Sequence, residues 1–408
     1  MSSCKSTFKK NEIPEMIRSL IKSVFISVTL LFCAPCKSQN KVSDFDLFQI
    51  ERNRVVDRAR EFATLEPITV THDYSERSAG TLHDFYSEGD YWWPDPQNPD
   101  GPYIRKDGLT NPDNFTAHRR AMIRLSQISG ALASAYLVTG DKAYVKQLLP
   151  HLQAWFVNED TKMNPNLLYA QAIQGIVTGR GIGIIDTIHL LEVVLAVQAI
   201  EDAKVISVGE MVEIRKWFSD YLEWITTHPY GMKERDNGNN HSVCWAMQVA
   251  VFADFVGDAQ QKEFARNFYK ETLLPDQMDD RGAFPLELAR TKPYGYSLFV
   301  LDGMAALCQV LSTKHENLFT YVTPDGKSMI KGLSFLYPYV KDKSSWPFQE
   351  DVMYWEEWPV RQPSFLFGGM ALNKTAYLDL WKSLEPHFDN PEVIRNMPIR
   401  YPLLWVRK

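Results

Sequence analysis

The chain has 408 residues, 45% of them hydrophobic and 23% charged, a balance that fits a folded globular protein and excludes a disordered or low-complexity one. A net charge of -6 at pH 7 argues against a nucleic-acid partner, although basic side chains gathered in one cleft could still receive a polyanion. Eleven tryptophans, 18 tyrosines and 22 phenylalanines supply rings for stacking on sugars as well as for a core.

Residues 1–39 read as a leader rather than as fold. Lys5, Lys9, Lys10, Arg18 and Lys22 precede the uncharged run Ser23 to Cys36, which is shorter than the ~18 apolar residues of a membrane span. This predicts a signal peptide, or a lipoprotein leader with Cys36 as lipid acceptor, and an exported protein that is periplasmic or held at the outer membrane. Residues 40–408 are then expected to form a single domain. Cys4, Cys33 and Cys36 fall in the leader, and the remaining Cys244 and Cys308 sit in apolar helical contexts that predict buried thiols.

From about Thr69 to Asn114 the chain is irregular and rich in proline and tryptophan ("WWPDPQNPDGPYIRKDGLTNP"), as expected of a functional loop at the rim of a fold. Helical spacing begins at Arg119, stops at Gly140 and restarts with "KAYVKQLLPHLQAWF". The same joint recurs at Gly257 and Asp258, between "SVCWAMQVAVFADFV" and "AQQKEFARNFYKETLLP". Further helices are predicted at 181–203, 209–226, 296–311, 327–336 and 374–384, and alternation of the strand type is nowhere sustained. The fold class expected is all-α: an (α/α) toroid of about six to seven helical hairpins with long rim loops.

Two polar stretches interrupt this pattern. In "NGNNHSVCW", Asn237 or Asn239 can cap a helix that places His241 in its first turn. In "FPLELARTKPYGYSLFVLD", Glu287, Arg290, Lys292, Tyr294 and Tyr296 crowd a segment broken by Pro293 and Gly295. An asparagine and an arginine can neutralise a uronate carboxylate, a histidine can stand beside the acidic carbon, and a tyrosine can move the proton. Those parts suffice to remove H5 of a uronic acid and expel the 4-O-linked sugar by β-elimination, because neutralising the carboxylate lets it share the charge that builds on C5. A tyrosine with the ordinary pKa of about 10 needs help to ionise, and a nearby arginine lowers that cost.

"NNHSVCW", "ELART" with "YGYSLF", and "DFYSEGDYWWPDPQNPDGPYIRKDGLTNPDNF" together resemble the alginate lyase superfamily of polysaccharide lyases, in particular the polysaccharide lyase family 38-like group of gut and marine bacteria. The resemblance covers most of the chain after the leader. It implies the toroid, cleavage of polyuronates and no obligatory metal or cofactor. By it, Asn240 and Arg290 hold the carboxylate, His241 is the base or its partner, and Tyr296 is the acid and also a candidate base. Long-known alginate lyases carry the tyrosine seven residues after the arginine, whereas Tyr296 follows Arg290 by six, so Tyr294 competes with it.

Candidate substrate contacts are Asn239, Tyr294, Glu88, Tyr91, Trp92, Trp93 and Arg105, then Asn166, Tyr169, Gln171 and Arg180 from "MNPNLLYAQAIQGIVTGRGIGIID", and Trp355 and Arg361 from "MYWEEWPVRQPSF". Alginate, with mannuronate-containing blocks first, is the expected anionic polysaccharide, and β-1,4-glucuronan is the alternative. A glycoside hydrolase on the same fold would need two free carboxylates, for which Asp84, Glu88, Asp90 and Glu287 are available. A glycan-binding protein without catalysis would leave the Asn-His and Arg-Tyr pairings without a purpose. The nine histidines form no metal-binding spacing, and calcium at Asp95 and Asp100 would order a loop rather than do chemistry.

Overall fold

The computed structural model describes residues 45–406; the expected leader, with Cys4, Cys33 and Cys36, lies outside the described residues. Helix α1 (Leu47–Phe62) begins at Asp46, whose side chain accepts from the Gln49 N–H. The irregular segment after it carries strands β1 (Tyr86–Glu88), β2 (Trp92–Trp93) and β3 (Ile104–Arg105). Helices α2 (Ala117–Thr139) and α3 (Lys142–Phe156) form the first predicted hairpin. Strand β4 (Tyr169–Ala172) pairs in parallel with β1, and β2 pairs antiparallel with β3.

A 3₁₀ stretch (Gly181–His189) leads into α4 (Leu190–Ile200), followed by α5 (Val208–Thr227), α6 (Pro229–Arg235), α7 (Asn240–Val256) and α8 (Ala259–Phe268). The short α9 (Leu274–Gln277) and α10 (Pro285–Leu288) precede α11 (Pro293–Leu311) and α12 (Met329–Lys341). Helices α13 (Pro363–Ala371), α14 (Thr375–Ser383) and α15 (Pro391–Asn396) complete the chain.

The two glycine joints work by one device. Gly140 and Gly257 end their helices with φ of 73° and 82°, a left-handed conformation that costs glycine least. Asp141 and Asp258 then cap the next helix by accepting from the N–H groups of Ala143 and Gln261.

Helices α2, α4, α7, α11 and α13 each contact the next and form the inner wall of an (α/α) toroid. The segments Ala117–Thr139, Gly181–Ala203 and Pro293–Leu311 are long and apolar enough to cross a membrane by length and composition, but most of each is buried inside this core. Helix α1 packs on α2 at one end of this series, and its Glu51 and Arg54 share a small hollow with Pro363 and Leu366 of α13 and Trp381 of α14 at the other. Its Glu51, fully buried, pairs with Arg361 at 2.7 Å, and Phe45 meets the Trp381 ring edge-on at 6.1 Å.

Arg361 is therefore corrected from a sugar contact to a structural tie, with its guanidinium 4.4 Å from the Trp381 ring centre and its charge on Glu51. Removing it leaves a buried carboxylate with only Arg54 as cation. Arg361→Ala is expected to lower stability by about 3 kcal/mol in thermal or denaturant melting without altering KM; a raised KM with unchanged melting would restore the sugar-contact role.

Candidate active site

The inner helices α2, α4, α7 and α11 point the same way. Residues near the N-terminal ends of α4, α7 and α11 line a cleft of about 300 Å³, while Leu137, Ala199, Asp254 and Val310, from C-terminal turns, line hollows at the other end. Helix N-termini expose unsatisfied N–H groups and favour anions, so the cleft sits on the rim suited to a polyanion.

At the mouth of α7, the Asn239 side chain accepts from the His241 N–H at 3.0 Å and starts the helix, and Gly238 makes the preceding turn at φ 85°. Asn240 is buried: its amide nitrogen donates to both oxygens of Glu287 at 3.0 and 2.9 Å, and its backbone N–H donates to the same carboxylate at 2.9 Å. Burial raises the Glu287 pKa, against the opposing pull of the Asn240 hydrogen bonds. His241 lines the cleft and sets its Nδ1 2.8 Å from Oε1 of the fully buried Glu234.

The second stretch meets the first across the cleft. Arg290 directs Nε and Nη2 at Asp107, at 3.3 and 3.1 Å, and lays its guanidinium over the Tyr296 ring, 4.6 Å from its centre. The Tyr296 hydroxyl lies 2.6 Å from that of Tyr91 on the tryptophan-rich loop. Burial, then the neighbouring Tyr91, pushes the Tyr296 pKa well above the usual value, while Arg290 and Arg395 pull it down. Arg290 thus lowers the cost of ionising this tyrosine, as expected of a nearby arginine, but burial outweighs it and the hydroxyl holds its proton.

Beneath the cleft runs a chain of charges that no local reading of the sequence reveals. Arg119 pairs with Asp90 at 2.7 Å and with Asp186 at 3.1 Å; Arg395 pairs with Asp90 and with Glu392, both at 2.8 Å; Lys292 pairs with Glu392 at 3.0 Å. Burial alone would raise the Glu392 carboxyl, but Arg395 and then Lys292 hold it down to about 2. Gln171 bridges to this chain by donating to Asp90 at 3.3 Å and to Asp186 at 3.4 Å, from a backbone held at φ 54°, which is unusual for a residue with a side chain.

Of the cleft arginines, Arg105 and Arg290 share Asp107, and Arg395 has Asp90 and Glu392. Among the described residues Arg180 has no carboxylate partner; it donates to the Gln171 carbonyl at 2.8 Å and to its side-chain oxygen at 3.2 Å, and lies over Trp92. Burial, then the nearby Arg105, lowers its pKa to about 10.

The cleft thus gathers Asn239, Asn240, His241, Arg290, Tyr296, Tyr91, Trp92, Arg105, Gln171 and Arg180 from the predicted set. The others stand outside it. Tyr294 is fully buried and donates to the Tyr339 carbonyl at 3.1 Å, with Trp346 and Trp355 packed on its ring, which removes both Tyr294 and Trp355 from the cleft wall. Glu88 pairs with Arg77 at 2.8 Å and accepts from Tyr86. Trp93 donates to the Leu109 carbonyl and stacks with Lys106. The Asn166 side chain accepts from Leu168 N–H in a turn, and the Tyr169 ring packs at Gly80. Arg361 is tied to Glu51, as described above.

Of the four carboxylates suited to hydrolysis only Asp90 lines the cleft, and it is taken by two arginines; Asp84 accepts from Thr81 and Asn164. Among the described residues no group of three or more histidine, cysteine or acidic side chains is placed to hold a metal ion. Arg395, Asn396, Asn237 and Phe299 also line the cleft and were not singled out from the sequence for this role. Glu234 and Asp107, which hold His241 and Arg290, were missed as well. For Glu234 a signal existed, an acid one short helix upstream of a capped histidine.

A family model described as alginate lyase matches residues 69–346. Among solved structures, an alginate lyase from Bacteroides ovatus is 30% identical, with 90% of this chain and 96% of that one aligned at a TM-score of 0.77. Alginate lyase A1-III from Sphingomonas species A1 is 14% identical over 87% and 95% of the two chains, with a TM-score of 0.54. A histidine-to-alanine variant of A1-III, complexed with a tetrasaccharide, gives 14% identity over 88% and 94%, with a TM-score of 0.57. At that identity the A1-III structures speak for the fold alone. No curated protein sequence matches the chain.

The charge chain makes a pH prediction. A carboxyl depressed in the folded state contributes stability that is full above its unfolded value of 4.5 and is lost as pH falls toward 2. Glu392→Gln should therefore be less stable than the parent by about 3 kcal/mol at neutral pH, and the gap should close on acidification. A gap constant from neutral to acid pH would show that Glu392 is not held ionised by its partners.

Proposed function

The chain belongs to the alginate lyase family, and on that premise we propose that its cleft cleaves the 1,4-linked polyuronate alginate by β-elimination, leaving a 4,5-unsaturated uronate at the new end. The observation that carries the reading is the meeting of His241 and Arg290–Tyr296 across one cleft in which the carboxylate present, Asp90, is consumed by ion pairs. The leader composition supports export to the periplasm or the outer membrane.

The substrate carboxylate needs donor groups that are not already taken. The Asn240 amide nitrogen is taken by Glu287, so we assign the grip chiefly to Arg180, which lacks a carboxylate partner, and to Arg290, whose Nη1 has no protein partner among the described residues. Neutralisation there lets the carboxyl group share the charge that develops on C5. Tyr296, whose burial favours the protonated form, is suited to give its proton to the leaving oxygen.

Geometry at C5 then selects the base. In guluronate, H5 and the leaving oxygen lie on opposite sides of the ring, so His241 takes the proton and Tyr296 supplies one. In mannuronate they lie on the same side, so Tyr296, once its hydroxyl proton has been lost to solvent and the phenolate is held by Arg290 over its ring and Arg395 nearby, takes H5 and passes it to the leaving oxygen. The second route needs one side chain and cations already in place, which supports mannuronate-containing blocks as the favoured substrate.

The purified protein is expected to generate the ultraviolet absorbance of an unsaturated uronate from polymannuronate and polyguluronate, and less from glucuronan. Tyr296→Phe should lower kcat on both alginate blocks by about 10²–10⁴. Arg180→Ala should raise KM by about 10-fold or more, the loss of one charge-assisted contact. New reducing ends without the absorbance would mean hydrolysis and sink the assignment.

A further inference from the structure

We propose that Glu234 is a positioning residue for the elimination: it fixes His241 in the tautomer that leaves the lone pair on Nε2 at the cleft, and so governs cleavage at guluronate. The proposal rests on the reading of His241 as the base for that sugar.

Glu234 lies on α6, is fully buried and sets Oε1 2.8 Å from Nδ1 of His241, while its Oε2 has no hydrogen-bond partner. No lysine or arginine among the described residues forms an ion pair with it. The groups whose charge reaches it are His241, Arg180 at the start of the 3₁₀ stretch, Tyr221 on α5 and Cys244 on α7. A carboxylate can only accept, so the Nδ1 side must carry the hydrogen, and the ring's other nitrogen is left as the acceptor.

The backbone is fixed as firmly as the ring. The Asn239 cap holds the His241 N–H, and the Ser242 hydroxyl ties the turn by accepting from Gly238 N–H and donating to the Glu234 carbonyl at 3.4 Å.

A buried carboxylate with no cation and one orphan oxygen is costly in the resting protein. It becomes useful during the reaction. The H5 proton moves from C5 to Nε2, the electron pair it leaves forms the C4–C5 double bond, the C4–O4 bond breaks, and the Tyr296 hydroxyl protonates O4. His241 is then cationic and faces Glu234, so the pair is strongest in the transition state, where binding accelerates the reaction. An amide at this position would keep the shape and lose the charge.

The experiment compares Glu234→Gln, Glu234→Asp, His241→Ala and Tyr296→Phe on polyguluronate and polymannuronate. Glu234→Gln is expected to lower kcat on polyguluronate by about a hundredfold or more at unchanged KM, as loss of a histidine tautomer does elsewhere. The loss on polymannuronate should be much smaller, and Glu234→Asp should recover part of the rate. Unchanged kcat in Glu234→Gln, beside an inactive His241→Ala, would overturn the positioning role and leave the base intact. An active His241→Ala would instead overturn the base reading, and a parent enzyme that leaves polyguluronate uncut would overturn the proposal outright. Nitrogen NMR of histidine-labelled parent protein reads the tautomer without relying on a folded Glu234 variant: hydrogen on Nδ1 of His241 is expected, and hydrogen on Nε2 alone refutes the proposal.

Discussion

The buried ion chain from Asp186 through Arg119, Asp90, Arg395 and Glu392 to Lys292 is the interaction on which the rest of the site depends. It sets three carboxylates against three cations and joins five segments: the start of α2, the 3₁₀ stretch before α4, the tryptophan-rich loop, the start of α11 and the C-terminal α15. Removing any member leaves a partner charged and buried, so the chain holds the loop down only in one arrangement. That arrangement puts Tyr91, the residue after Asp90, against Tyr296, and lays the Lys292 ammonium 5.3 Å from the centre of the Tyr91 ring.

The helix polarity of the toroid supplies the complementary long-range term. With several inner helices presenting their N-terminal ends to one rim, and Arg105, Arg180, Arg290 and Arg395 brought there from distant parts of the chain, an acidic protein acquires a cationic cleft. Three of those arginines are already paired, which fixes them in place, and the one that is not has the most to gain from an arriving carboxylate. The cleft is two-sided: a histidine backed by a carboxylate on one wall, and a tyrosine backed by an arginine on the other.

Sequence legibility followed the range of the interaction. The hairpins were readable because glycine at 140 and 257 stops a helix and the aspartate after it starts the next, both local effects. The strands were not, since segments of two to four residues are too short for alternation to declare itself. Asn240, His241, Arg290 and Tyr296 were legible as motifs. Their supports were not, because Asp107 lies 183 residues from Arg290 and Asp90 lies 305 from Arg395. In a helix, two positions turn the side chain by about 200°, so Tyr294 and Tyr296 had to face opposite ways, but only packing decides which meets the cleft. Trp355 and Arg361 were misplaced because a tryptophan beside an arginine reads alike whether it holds a sugar or, as here, its own fold.

The central claim is that this cleft eliminates rather than hydrolyses. Mass spectrometry of the end products from purified alginate oligosaccharides tests it most directly. The account predicts that each cleavage yields one fragment lighter by one water than its saturated counterpart, with the deficit on the newly formed non-reducing end. Fragments that have all gained water at the cut, with no unsaturated member, would contradict it.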